Sequence, residues 1–316
     1  MERLRRALPT LIKIAVSAGG MFLVLRQVNP ADILDSLLTA DWRWVALTFL
    51  LFNASLVLRA YRWALLLHGL AAPVRFQRLV ELYFVGNFFN TFLPTSFGGD
   101  IVRAWEVTTD VSPGVAAGTV LVDRLTGLLA LLVMSLLALP FRPEGFPAEL
   151  VPWVAGLSIG GMLIGLLLLE GKQLPRWGGW LPGPLSTTGT GFVAQTLAAV
   201  QACGRRAVAG ALLVSVFFNL MLVGWWWTAA RALGLEISFT YLLLVIPILS
   251  VILLIPSIGG LGPRELIAPL LFSGAAVSAA QAYALSLLVF TVQRLSSLIG
   301  AFWYILAALQ NRRKKG

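Results

Sequence analysis

A chain of 316 residues that is 58% hydrophobic and only 12% charged has too much apolar surface to hide in a water-soluble domain. Its net charge of +10 fits the basic loops of a membrane protein better than a nucleic-acid face, so no nucleic-acid partner is expected. The single cysteine, Cys203, excludes an intrachain disulfide, and the single histidine, His68, argues against a His-based metal centre; no metal or cofactor is expected.

In chain order, the basic start "MERLRR" precedes an apolar run from Leu8 to Leu25, long for a cleaved signal and better read as a signal anchor. Full spans are expected at about 8–26, 44–68, 115–140, 152–170, 206–230 and 284–309. Lipid offers no partner to an open backbone, which leaves helices or a closed barrel, and the uniform apolar runs lack the alternation of barrel strands. The expected class is an all-α polytopic membrane protein forming a single integral membrane domain.

Two apolar segments are interrupted. The segment 79–109 carries "LPTSFGGDIVRAWE" (93–106), and the segment 240–273 carries "IPSIGGLGPREL" (255–266). Both phrases read Pro, Ser, Gly-Gly, then Arg four residues after the second glycine. The half-segment before each break is about fifteen residues, roughly 22 Å of helix, short of a core of about 30 Å. Re-entrant helical hairpins are expected, with two short tilted spans as the alternative.

Orientation follows from Lys and Arg. With both ends cytoplasmic, thirteen basic residues fall inside, including Arg3, Arg5, Arg6 and the tail "NRRKKG", against Arg26, Arg43, Arg142 and Arg231 outside. Each half, 1–140 and 152–310, then holds two spans, a hairpin and one span. That odd number of crossings inverts the second half, as in many transporters with inverted-topology repeats. Further echoes agree. "DRLTGL" (123–128) follows the first hairpin and "QRLSSL" (293–298) the second, and Phe52-Asn53 is answered by Phe218-Asn219. The connectors 30–41 and 191–203 read as amphipathic helices at the membrane interface. The glycines of "GLSIG" and "GMLIG" (156–165) read as close helix packing, and Trp225 to Trp227 as an interface belt.

Charge inside a membrane costs at least about 2.5 kcal/mol, so each deep charged residue is a candidate for function. Arg103 and Arg264 lie in the hairpins, and Arg124 and Arg294 about ten residues into the spans behind them. Asp100, Asp123, Glu106 and Glu265 accompany them. One reading is a midplane site whose arginines fork onto an anionic head group such as a phosphate. The other is that acids and arginines pair and lock the hairpins. Gly98, Gly99, Gly259 and Gly260 permit sharp turns and close approach by a ligand, and Asn87 and Asn90 precede the first break. Arg59 and Arg62 share a face of the second span, either snorkelling to the interface or meeting anionic lipid. No phosphate loop, zinc motif or nucleophile elbow is present, so no catalytic residue is assigned.

The run "GNFFNTFLPTSFGGDIVRAWEV", then "VDRLTGL", then "IPSIGGLGPRE" resembles the lysylphosphatidylglycerol synthase transmembrane-domain family over nearly the whole chain. The resemblance implies a protein of the bacterial cytoplasmic (inner) membrane that moves or binds a lipid with a polar head. With the deep arginines, the expected partners are membrane lipids with anionic head groups and a separate lipid-synthesis enzyme. Full-length synthases of the family carry a soluble aminoacyl-transfer domain after the membrane part; the chain stops at Gly316, so lipid aminoacylation is not expected of it. A lipid flippase working by alternating access between the hairpins is the leading expectation. The alternatives are an integral membrane enzyme acting on a lipid phosphate and an accessory subunit that presents lipid to a synthase. Oligomeric state is not read from the sequence.

Overall fold

The computed structural model describes residues 17–19, 21–23, 26, 28–91, 98–170, 192–253, 255, 257 and 261–313. Among them regular structure is helical, with no strand. Helix α1 (Pro30–Leu38) is started by Asn29, whose side chain accepts from the Ala31 N–H, with Pro30 at the first helical position. Asp41 caps α2 (Trp42–Gly69) in the same manner through the Arg43 N–H. Two short helices follow, α3 (Phe76–Phe89) and α4 (Gly98–Glu106). Ser112 and Pro113 then open the long α5 (Pro113–Ala138).

The second part of the chain runs through α6 (Leu150–Glu170), α7 (Phe192–Ala202) and α8 (Arg205–Ala232). Two more short helices come next, α9 (Phe239–Ile252) and α10 (Pro263–Phe272), and α11 (Ala279–Arg313) ends the series. Five helical stretches are long and apolar enough to cross a membrane: Trp42–Gly69, Pro113–Phe141, Leu150–Leu169, Arg205–Ala232 and Ala279–Leu306. They coincide with five of the six expected spans. The expected first span, 8–26, falls mostly outside the described residues, as do both Gly-Gly breaks except Gly98 and Gly99.

Packing puts α2 along α8 at the centre, with α5 against α8 and α3 against α11. Helix α1 lies on α11, and α7 lies on α5. The core gathers around α9, which is buried along most of its length (Leu242 to Leu249), together with Trp225, Trp226 and Phe272. Trp225 and Trp226 are each only 5% exposed, so two of the three expected belt tryptophans are core residues. Only Trp227 is left partly outside, edge-on to Trp44 and beneath Arg231. The glycines of α6 divide similarly. A Cβ on Gly161 or Gly165 would strike Leu132 or Leu129 of α5, at 2.5 and 2.6 Å, whereas Gly156 and Gly160 face open space.

Candidate functional site

The charged residues of the first hairpin form one buried network. Asp123, on α5, is fully buried and accepts from Arg62 Nε at 2.6 Å, from Arg103 Nη2 at 2.8 Å and from the Tyr83 hydroxyl. Three helices besides α5 converge on that one carboxylate: α2, α3 and α4. Arg103 also reaches Asp100 at 3.0 Å, and its guanidinium lies 4.2 Å from the Tyr83 ring centroid and 5.0 Å from that of Trp63. Asp100 pairs in addition with Arg124. Arg62 carries on to α8, donating to Ser215 Oγ at 2.9 Å. Burial of charge is tolerated because each carboxylate accepts from more than one donor. Glu106 is apart from this network, partly exposed and 3.4 Å from Arg78.

The glycine pair of the first break has a packing reason. Gly99 donates its N–H to Asn90 Oδ1 at 2.6 Å, and a Cβ there would lie 2.2 Å from the carbonyl oxygen of Gly86. Helices α3 and α4 therefore cross with their backbones nearly in contact. The φ of Gly99 is not positive, so close approach rather than a left-handed turn is what calls for glycine. In the second hairpin the left-handed position is Gly262, at φ 97°, just before Pro263. Gly259 and Gly260 lie outside the described residues.

The second hairpin holds its charges differently. Arg264 and Glu265 are neighbours in sequence and pair with each other, Nη2 to Oε1 at 2.8 Å, both almost fully buried. Glu265 also accepts from the Gly262 N–H at 2.7 Å, closing the start of α10, and from Ser286 Oγ at 2.9 Å. Arg264 donates to the Ser286 carbonyl at 2.9 Å.

Between the two hairpin regions lies a cavity of about 310 Å³, within the range of small-molecule sites. Arg59, Arg62, Arg124 and Arg294 line it, from α2, α5 and α11, with Asn87 from α3. No carboxylate is among the described lining residues. Arg59 and Arg294 differ from the other two, for neither forms an ion pair or hydrogen bond among the described residues, and the Nε of each is buried without a partner. Both are instead held by ring faces, Arg59 at 5.0 Å from Tyr83 and 5.5 Å from Phe218, Arg294 at 4.8 Å from Phe290. A smaller recess beside it, of about 20 Å³, is lined by Arg59, Asn87, Asn90, Gly99, Asp100 and Arg103.

Of the residues singled out from sequence, Arg59, Arg62, Asn87, Arg124 and Arg294 thus meet at one cavity, with Gly99, Asp100 and Arg103 at the recess next to it. Gly98 is buried at the start of α4. Asp123, Arg264 and Glu265 do not line the cavity; they sit behind it in the networks above. Sequence reasoning did not single out Trp225, Asn219, Gln293 and Gly127 as lining residues. Gly127 is where the guanidinium of Arg62 packs, a Cβ there lying 2.6 Å from Nη1, and its carbonyl accepts from Asn219 Nδ2 at 3.0 Å. The signal for three of them was present as repeat echoes, since Asn219 belongs to the second Phe-Asn pair, Gln293 begins the second Arg-Leu motif and Gly127 lies within the first.

These helices and this cavity define a multi-pass membrane protein with a cationic internal site. The chain belongs to the family described as the lysylphosphatidylglycerol synthase TM region, matched over residues 10–300. It is also similar to a UPF0104 membrane protein of Pyrococcus horikoshii, 29% identical over 106 residues, a match spanning 32% of each chain. Membership ties the chain to a lipid-related role in the membrane.

Proposed function

We propose that the chain moves a membrane lipid bearing an anionic or phosphate head group between leaflets, binding it at the Arg59–Arg294 cavity and leaving it chemically unchanged. The observation that carries this reading is the convergence, on one cavity, of four arginines of which two have no acid partner. Both residues are partly buried, with the Nε of each enclosed and unbonded; a cation held so without an ion-pair partner is costly, and an anionic ligand would offset that cost. A guanidinium also matches phosphate oxygens in a two-pronged fork.

The architecture we infer is an inverted-topology repeat, 1–140 and 152–310, in the bacterial cytoplasmic membrane with both termini inside. Its support is a reciprocal pair of contacts. Asn219 of the second Phe-Asn bonds Gly127 in the first Arg-Leu motif, and Asn53 of the first Phe-Asn accepts from Ser296 in the second at 2.7 Å. The same pairing of motifs made in both directions is what a two-fold relation requires. Helices α3 and α9 each have 14 residues, about 21 Å long, which favours re-entrant hairpins over spans. Opening of one hairpin at a time would give alternating access, with a separate synthesis enzyme as the natural supplier of the lipid.

The test is transfer of fluorescent phosphatidylglycerol across reconstituted vesicles, read by quenching of the outer leaflet. Protein-dependent transfer that is lost in Arg59→Gln and Arg294→Gln is the expected result. A lipid altered in structure would indicate an enzyme, and no transfer would remove the flippase reading.

A further inference from the structure

Five buried polar side-chain atoms around the cavity lack a partner: Arg59 Nε, Arg294 Nε, Asn87 Nδ2, Trp225 Nε1 and Asn219 Oδ1. Four are donors and one is an acceptor. Asn219 and Trp225 are core residues, 1% and 5% exposed, so their unmade bonds point inward rather than to bulk water. The set asks for a ligand rich in acceptors that also offers at least one donor. A phosphate supplies only acceptors at neutral pH. A hydroxyl supplies both, and so provides the donor that Asn219 Oδ1 lacks and that a phosphate cannot offer.

The same wall has no place for a cation. Its charged members are all arginines, and the nearest carboxylates, Asp100 and Asp123, are already committed to Arg103, Arg124 and Arg62. The remaining polar lining is neutral and includes Asn90, Gln293, Ser250 and Ser257. A head group carrying an ammonium would face guanidinium groups with no acid to receive it.

We infer that the cavity selects a phosphate lipid whose head group is a neutral polyol or sugar, with phosphate against Arg59 and Arg294 and hydroxyls against Asn219 and Trp225, and that it rejects amine-bearing and aminoacylated head groups. This rests on the proposed site but not on transport, since selectivity is a property of binding. Gln293 sharpens it. It stands in the second Arg-Leu motif where the first has Asp123, and unlike Asp123, which is set behind the cavity, it lines the wall as a neutral amide.

The experiment is binding to the purified full chain in detergent of four short-chain lipids: phosphatidylinositol, phosphatidylglycerol, phosphatidylethanolamine and lysylphosphatidylglycerol. Titration calorimetry is the readout. Phosphatidylinositol and phosphatidylglycerol are expected to bind at least about tenfold more tightly than the two amine-bearing lipids. Gln293→Glu is expected to narrow that ratio by admitting the amines. Trp225→Phe and Asn219→Ala are expected to weaken phosphatidylinositol while leaving phosphatidic acid, used as a head-group-free control, within about twofold. Equal binding of all four lipids by the unaltered chain overturns the inference. So does an equal loss of phosphatidic acid and phosphatidylinositol in both Trp225→Phe and Asn219→Ala. Unchanged binding of every lipid in both Arg59→Gln and Arg294→Gln would instead remove the proposed site itself. Selective binding without vesicle transfer would leave this inference standing and remove only the flippase reading.

Discussion

The two hairpin regions use the same phrase to opposite ends. In the first, Asp100 follows the Gly-Gly and Asp123 opens the Arg-Leu motif, and between them they engage Arg62, Arg103 and Arg124. In the second, the matching positions are Leu261 and Gln293, neither of which carries a charge. Arg264 has recruited its own neighbour Glu265, and Arg294, the counterpart of Arg124, pairs with no acid among the described residues. The first region is a locked electrostatic knot. The second has a satisfied pair set back from the cavity and an uncompensated cation facing it. Two copies of one sequence phrase can thus keep their arginines in register while the placing of acids decides which of them form ion pairs and which do not.

The largest effect that would break this contrast is at Asp123. Asp123→Ala leaves Arg62 and Arg103 buried with the loss of their shared carboxylate, an expected cost of about 3–5 kcal/mol, which a shift in the unfolding midpoint in detergent would measure. Glu265→Ala strands one arginine instead of two and also opens the N–H of Gly262. It should cost about 3 kcal/mol, at the lower end of the same range. If Asp123→Ala proved the milder of the two, the first region would not be the tighter knot.

Gly99 tests the lock by shape rather than charge. Gly99→Ala drives a methyl into the Gly86 carbonyl and should cost about 1–3 kcal/mol, because backbone cannot swing aside. Gly161→Ala is the control in α6, where the obstacle is the tip of the Leu132 side chain, and about 1 kcal/mol or less is expected. Equal unfolding midpoints for the two variants would mean that the α3–α4 crossing gives way easily.

How much of this could be read from sequence depended on the kind of signal. The long spans were legible because eighteen or more apolar residues leave few alternatives, and the connectors 30–41 and 191–203 were legible from their polar faces and appear as α1 and α7. The deep arginines were legible because charge stands out against an apolar run. Their partners were not. Arg264 pairs with the residue beside it, whereas Asp123 ignores its neighbour Arg124 and binds Arg62 and Arg103 from other helices. Adjacent residues on a helix point about 100° apart, so the fold decides which neighbour an acid meets. Trp225 was misjudged for a related reason. A tryptophan run near a helix end has the same composition whether it meets lipid head groups or the wall of a cavity, and only burial separates the two.

The smallest expected change in stability, and the one most telling about role, is at Arg294. A side chain that bonds no acid can be replaced with little loss, so Arg294→Gln should leave the unfolding midpoint within about 0.5 kcal/mol of the parent or raise it slightly by removing an uncompensated charge. Arg124→Gln, its counterpart, removes one partner of Asp100 and should cost about 1 kcal/mol, a figure kept low because a third of the Arg124 side chain is exposed and Arg103 still reaches Asp100. Binding of phosphatidylglycerol should fall in the reverse order, more for Arg294→Gln than for Arg124→Gln, since the first removes a guanidinium available to phosphate and the second one already engaged. Stability and binding measured on the same two preparations therefore separate the roles. If Arg294→Gln lost stability in step with binding, the arginine would be a structural post and the contrast between the hairpins would fail. If it lost binding alone, the absence of acids at positions 261 and 293 would be what left Arg294 open to a ligand.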